Sequence, residues 1–190
     1  MTADFERFDA LLARVGAPIA ATPHADAADE LDAACASIGL TAPPGLRDWY
    51  CWRNGPGPLA PDSPALLIGR FAAVDVATAL EVRAIELDAT AAVPEDFKYQ
   101  PGWFPILAGA GTSGVIAVDC DTQPGTVVLF DAHSEMPETA DDRIAADVAE
   151  LVDRYITLLD SDMVTGPEPH WPHRVQIELF ADDPWVYNLL

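Results

Sequence analysis

Gly109-Ala-Gly111-Thr-Ser-Gly114 spells G-x-G-x-x-G directly after an apolar, strand-like run, the most suggestive chemical spacing in the chain. Such a loop cradles a dinucleotide pyrophosphate only when a helix begins within it, so that free N–H groups at the helix N-terminus meet the phosphates. Here Val115-Ile-Ala-Val118 follows, which is strand-like, and the acidic residue of a second βα unit about twenty positions on is missing. A glycine-rich turn joining two strands is the better reading. Asp119-Cys-Asp121 resembles the start of a calcium loop, but Pro124 occupies the sixth position, where glycine is needed, and Phe130 the twelfth, where a bidentate acid is needed. His170 and His173 have a metal-pair spacing, yet Pro167, Pro169 and Pro172 oppose a regular helix there, and a loop is expected. Asp131, His133 and Ser134 include triad residue types, but chain neighbours rarely adopt triad geometry and no G-x-S-x-G elbow exists. No catalytic residue, metal ligand or cofactor is assigned on these grounds, and a non-enzymatic protein is expected. Cys35, Cys51 and Cys120 form no C-x-x-C pair; they read as small buried apolar residues in a reducing compartment.

The elements that would position these groups follow from hydrophobic period. Phe5, Phe8, Leu12 and Val15 recur at helical spacing after a Thr2 cap, and Gly16 and Pro18 end the run. A second helix is expected over 25–38, with Gly39 in the position that tolerates positive φ. Pro43-Pro44 opens a third, bearing Trp49, Tyr50 and Trp52, which Asn54-Gly55 and a proline-rich stretch bring to an end. A short strand over 65–69 precedes a helix over 75–85 capped by Asp75. Then the period changes: 103–107, 115–118 and 126–130 are apolar runs separated by turn residues, expected to form an antiparallel meander. Helical spacing returns over 141–159, and Val175, Ile177 and Leu179 alternate as one further strand. Trp171, Trp185 and Tyr187 would cover a sheet edge or form a homodimer contact, two alternatives left open. The twenty uncharged residues 99–118 contain Pro101, Pro105 and a glycine-rich run, which excludes a spanning helix, so no membrane association is expected. The N-terminus lacks a basic region followed by an apolar stretch, so the expected location is cytoplasmic.

Charge narrows the class of partner. The 190 residues carry 31 Asp+Glu against 10 Lys+Arg, for a net charge of −21. Nucleic acid is disfavoured as a partner because phosphate neutralisation needs clustered Lys and Arg. A basic protein is the electrostatic complement. Segment 131–162 holds ten acids and two arginines, a local −8, whereas 41–70 is at +1. The acids Asp121, Asp131, Glu135, Glu138, Asp141 and Asp142 are the candidate partner-binding residues; the competing reading is plain solvation, with the last of them serving the N-terminus of the final helix.

Pro43-Pro44-Gly-Leu46-Arg-Asp-Trp49-Tyr50 leads to Asn54-Gly55; Pro101-Gly102-Trp103-Phe104-Pro105-Ile106, a glycine-rich turn through Gly114 to Asp119, and Gly125-Thr-Val-Val-Leu-Phe-Asp131 before a closing helix follow. In this order of elements the chain, over about residues 27–160, resembles the SUKH superfamily of fungal cell-wall-assembly regulators and bacterial immunity proteins. It departs from the family at Ala42-Pro43-Pro44, where Leu-Pro is usual, and at the looser glycine turn. The resemblance implies a single α+β domain over 27–162 whose curved, mixed or mainly antiparallel sheet is flanked by helices. Residues 1–26 would be an N-terminal helical extension and 163–190 a C-terminal extension with one strand. Pro44, Trp49, Tyr50, Asn54, Gly55, Gly102, Trp103, Gly114 and Asp119 would be structural, the aromatics as core anchors and Gly55, Gly102 and Gly114 in turns. The function implied is that of a protein-binding module, foremost an immunity protein that neutralises a bacterial toxin, for which a basic nuclease fits the charge. A housekeeping regulatory interaction domain and a small hydrolase or transferase with an acidic cleft are the alternatives.

Overall fold

A computed structural model describes residues 3–14, 26–55, 66–68, 71–92, 94, 98–109, 114–131 and 143–160. Three helices come first: α1 (Phe5–Arg14), α2 (Ala27–Ser37) and α3 (Pro44–Trp52). Strands β1 (Leu66–Ile68) and β2 (Phe71–Ala73) lead into α4 (Val76–Ala89). Strands β3 (Trp103–Gly109), β4 (Gly114–Asp119), β5 (Val127–Asp131) and β6 (Arg143–Ala145) precede the closing helix α5 (Val148–Asp160). The six strands lie in chain order in one sheet, every neighbouring pair antiparallel. The architecture is α+β. Among the described residues no helix is long and apolar enough to cross a membrane.

Alternation along the strands buries both faces of the sheet. Phe104, Ile106, Ile116, Val118, Val127 and Leu129 join the main core with Leu31 of α2, Leu46 and Trp49 of α3 and Leu151 and Tyr155 of α5. Their strand neighbours Trp103, Val115, Ala117, Val128 and Phe130 face the other way and meet Tyr99, with Val82 and Leu87 of α4 alongside. Tyr99 stands edge-on to Trp103 at 5.3 Å and to Phe130 at 5.4 Å, the geometry that ring quadrupoles favour. Helix α1 shares the main core: Phe8 and Leu12 are fully buried, and Phe8 stacks on Tyr155.

Local chemistry explains the boundaries. The side chain of Asp4 accepts from the Arg7 N–H at the start of α1, the role expected of Thr2, which lies outside the described residues. Gly39, at φ 78°, closes α2 as expected; its N–H and that of Leu40 donate to the Ala36 and Cys35 carbonyls. Asp75 caps α4 by accepting from Thr78 N–H at 2.7 Å. Pro105 lies in an interior strand, where proline is tolerated only at an irregularity, and the β3–β4 register slips between Pro105 and Leu107. The Tyr50 hydroxyl donates to the Pro105 carbonyl at 2.6 Å, fastening α3 to that slip.

Two expectations are corrected here. The helix expected over 141–159 begins only at Val148, because Arg143–Ala145 is a strand that buries Ile144 and Ala145 against β5. The capping pattern of Asp147-Val-Ala-Glu150 overrides the accidental helical spacing of Ile144: Asp147 accepts from Glu150 N–H at 2.8 Å, and Glu150 reaches back to Ala146 N–H at 2.7 Å. Asp141 and Asp142 therefore do not stand at the start of α5. Gly114, expected in a turn, is the first residue of β4 and pairs with Asp131. Strand β2 had no counterpart in the sequence reading, since three residues running into a helix cap are too few to show a period. The strand expected over 175–179 and the aromatics Trp171, Trp185 and Tyr187 lie outside the described residues.

Candidate functional site

Three segments meet at one end of the molecule: the turn 120–126, the start of α3 and the start of α5. A Cβ added to Gly125, at φ 107°, would stand 2.7 Å from Pro43, and one added to Gly45 would stand 3.2 Å from the Val148 Cβ, so these backbones approach closely. Between them opens a cleft of about 240 Å³ with Pro44, Gly45 and Asp48 on the α3 side, Asp147 and Val148 on the α5 side and Pro124 from the turn. The turn is internally braced. Asp119 N–H donates to the Thr126 carbonyl at 2.8 Å, and Thr126 N–H to the Thr122 hydroxyl at 2.9 Å.

Carboxylates accumulate at this end, and their states differ. Glu150 Oε1 accepts from two nitrogens of Arg154, Nε at 3.1 Å and Nη2 at 2.7 Å. The Ala146 N–H first and Arg154 second hold its carboxyl below the ordinary range. One oxygen of Asp147 is committed to capping α5. Asp119 accepts from Asp121 N–H at 3.0 Å. The carboxylate of Asp121 rests over Gly102, where a Cβ would stand 2.2 Å from its Oδ2 and 3.3 Å from Asp119 Oδ1. Gly102 thus leaves room for two neighbouring carboxylates. Asp48 and Asp121 are exposed, and neither side chain has a hydrogen-bond or ion-pair partner among the described residues.

Four other arginines pair with acids of the helices. Arg7 and Arg14 reach Asp160 at 2.8 and 3.3 Å and tie α1 to α5; Arg14 also donates to the Leu159 carbonyl. Arg47 holds Asp32 of α2 at 2.8 Å, and Arg53 holds Asp9 of α1 at 2.9 Å. The three half-exposed pairs to Asp160 and Asp32 contribute little stability each, but all four consume cations that could neutralise the exposed acids.

The other residues singled out in the sequence fall as follows. Trp49 and Tyr50 are fully buried and Trp52 and Trp103 nearly so. Asn54 bridges three elements: its Oδ1 accepts from Val76 N–H at 3.0 Å, at the start of α4, and its Nδ2 donates to Glu30 of α2 at 3.1 Å. Gly55 serves close approach, since a Cβ there would lie 2.4 Å from the Val74 carbonyl carbon. The G-x-G-x-x-G segment joins antiparallel β3 and β4, with Gly109 ending one strand and Gly114 opening the next. Burial pushes the Cys35 thiol up to about 11 and the Cys120 thiol up to about 12, so both are protonated at neutral pH; Cys51, expected to be buried, is exposed because it lies on the outer side of α3. Asp131 closes β5, described in its backbone alone, while Glu135, Glu138, Asp141, Asp142, His133, His170 and His173 lie outside the described residues. Among the described residues no group of three or more His, Cys, Asp or Glu could hold a metal.

Sequence reasoning missed Asp48 and Asp147. Asp48 was hidden by summing charge over a segment that nets +1; Asp147 carried a readable cap signature that the continuous helical pattern masked. Comparison of the chain with protein-family models gives no match, and comparison with curated proteins gives none.

Proposed function

We propose that this chain is a non-enzymatic, SUKH-like protein-binding module that engages a basic protein through its acidic end, and that its biological role is immunity: binding and neutralising a cationic toxin, for which a nuclease is the leading class. The observation that carries this reading is the pair Asp48 and Asp121, exposed carboxylates with no side-chain partner among the described residues, on adjoining segments of a chain at −21. Exposed acids with no partner among the described residues, one of them lining the cleft, while four arginines pair with acids of the helices, favour an external cation as their complement.

The test is capture from native lysate on immobilised wild-type protein and on the Asp48→Asn/Asp121→Asn variant in parallel. A basic protein retained by the wild type, released by salt and depleted on the variant is the expected result. Equal retention on both supports would overturn the acidic-end reading.

A further inference from the structure

The cleft at the acidic end has a size and a lining that select its occupant. Its volume of about 240 Å³ is below the roughly 300–1,000 Å³ of clefts that enclose a drug-sized molecule. A single long side chain fits better than a whole metabolite. Its lining is apolar at Ala3, Pro44, Pro124 and Val148 and acidic at Asp48 and Asp147. The starts of α3 and α5 oppose these acids with a partial positive charge of roughly half a unit each, so two full negative charges leave the cleft net negative. One Asp147 oxygen caps α5 and the other is uncommitted to that cap; Asp48 is exposed with no partner among the described residues.

Taken together, the geometry points to this cleft as the receptor for one arginine side chain of the basic partner, an inference that rests on the binding reading above. The three-methylene stem of arginine suits the apolar part of the lining, while the planar fork can engage two carboxylates, which a point-charge ammonium does less well. Arg154 does not compete, being held by Glu150 at 2.7 Å.

The experiment titrates the full chain, followed by amide NMR shifts, with N-acetyl-arginine methylamide, its neutral citrulline analogue and a deca-lysine peptide at low salt. The arginine probe should shift Gly45, Asp48 and Val148 in a saturable way, and the citrulline analogue should not. Asp48→Asn and the cleft-filling Ala3→Leu should each weaken the arginine probe at least fivefold. Glu81→Gln, which removes the same charge from α4 outside the cleft, should leave it within twofold. If Ala3→Leu leaves arginine binding unchanged while deca-lysine still binds and is weakened by Asp48→Asn/Asp121→Asn, the arginine receptor is overturned and the acidic-end reading stands. If neither cationic probe binds, both fall.

Discussion

Removing one oxygen atom from Tyr50 and one from Tyr155 should have opposite consequences, although both rings are fully buried. The Tyr50 hydroxyl donates to the Pro105 carbonyl at 2.6 Å. Tyr50→Phe deletes that bond and strands a buried carbonyl at the β3 register slip, a loss of about 2 kcal/mol. The Tyr155 hydroxyl is buried with no hydrogen-bond partner among the described residues. Its desolvation is uncompensated, so Tyr155→Phe should be neutral or stabilise by about 1 kcal/mol. Volume change is the same in both, which isolates the hydrogen bond as the cause. Urea unfolding followed by tryptophan fluorescence reads the difference, about 2–3 kcal/mol between the variants at unchanged m-value. In thermal melts the Tyr50 variant should fall by about 4–8 °C. Equal destabilisation by the two substitutions would refute the assignment of donor and orphan.

Other expectations follow from single contacts. Gly55→Ala places a Cβ 2.4 Å from the Val74 carbonyl carbon and 2.6 Å from the Asp75 nitrogen, so it should destabilise by about 2 kcal/mol or more in the same urea assay; a neutral result would mean that α4 can retreat from α3. Cys35 and Cys120 are buried and their thiols held protonated, so Ellman's reagent at pH 8 should titrate Cys51 alone, with the remaining two appearing only in denaturant. Rapid reaction of all three in the folded protein would contradict the burial of Cys35 and Cys120. The carboxyl of Glu150 is lowered from 4.5, so its stabilising contribution is present above that value and lost as pH falls through and below it. Glu150→Gln should therefore cost more stability at pH 7 than at pH 3, and an equal cost at both would remove the ionic share of the cap.

The meander was legible in the sequence because β3, β4 and β5 are apolar runs broken by turn residues, and strands that share short turns pair with their neighbours. Asp75, Gly39 and Pro44 announced helix ends for reasons local to a few residues. Where local and periodic signals conflicted, the cap prevailed: Asp147-Val-Ala-Glu150 starts α5 although Ile144 lies in helical phase with Val148. Asn54 and Gly55 were visible as a helix stop, but their joint with Glu30, Val74 and Val76 depends on how α2 and α4 pack, which no window of sequence contains. The candidate site was legible in Asp121 and not in Asp48. Charge sums follow chain order, whereas the acidic end brings together residues about seventy positions apart through the contact of Pro43 with Gly125.

Stopped-flow association of the captured basic partner, measured against ionic strength for the wild type and for Asp48→Asn/Asp121→Asn, tests the central claim most directly. A rate that falls steeply with salt, with the variant slower by roughly tenfold at low salt and the two converging at high salt, is the predicted result. Identical rates for wild type and variant at every salt concentration would contradict it.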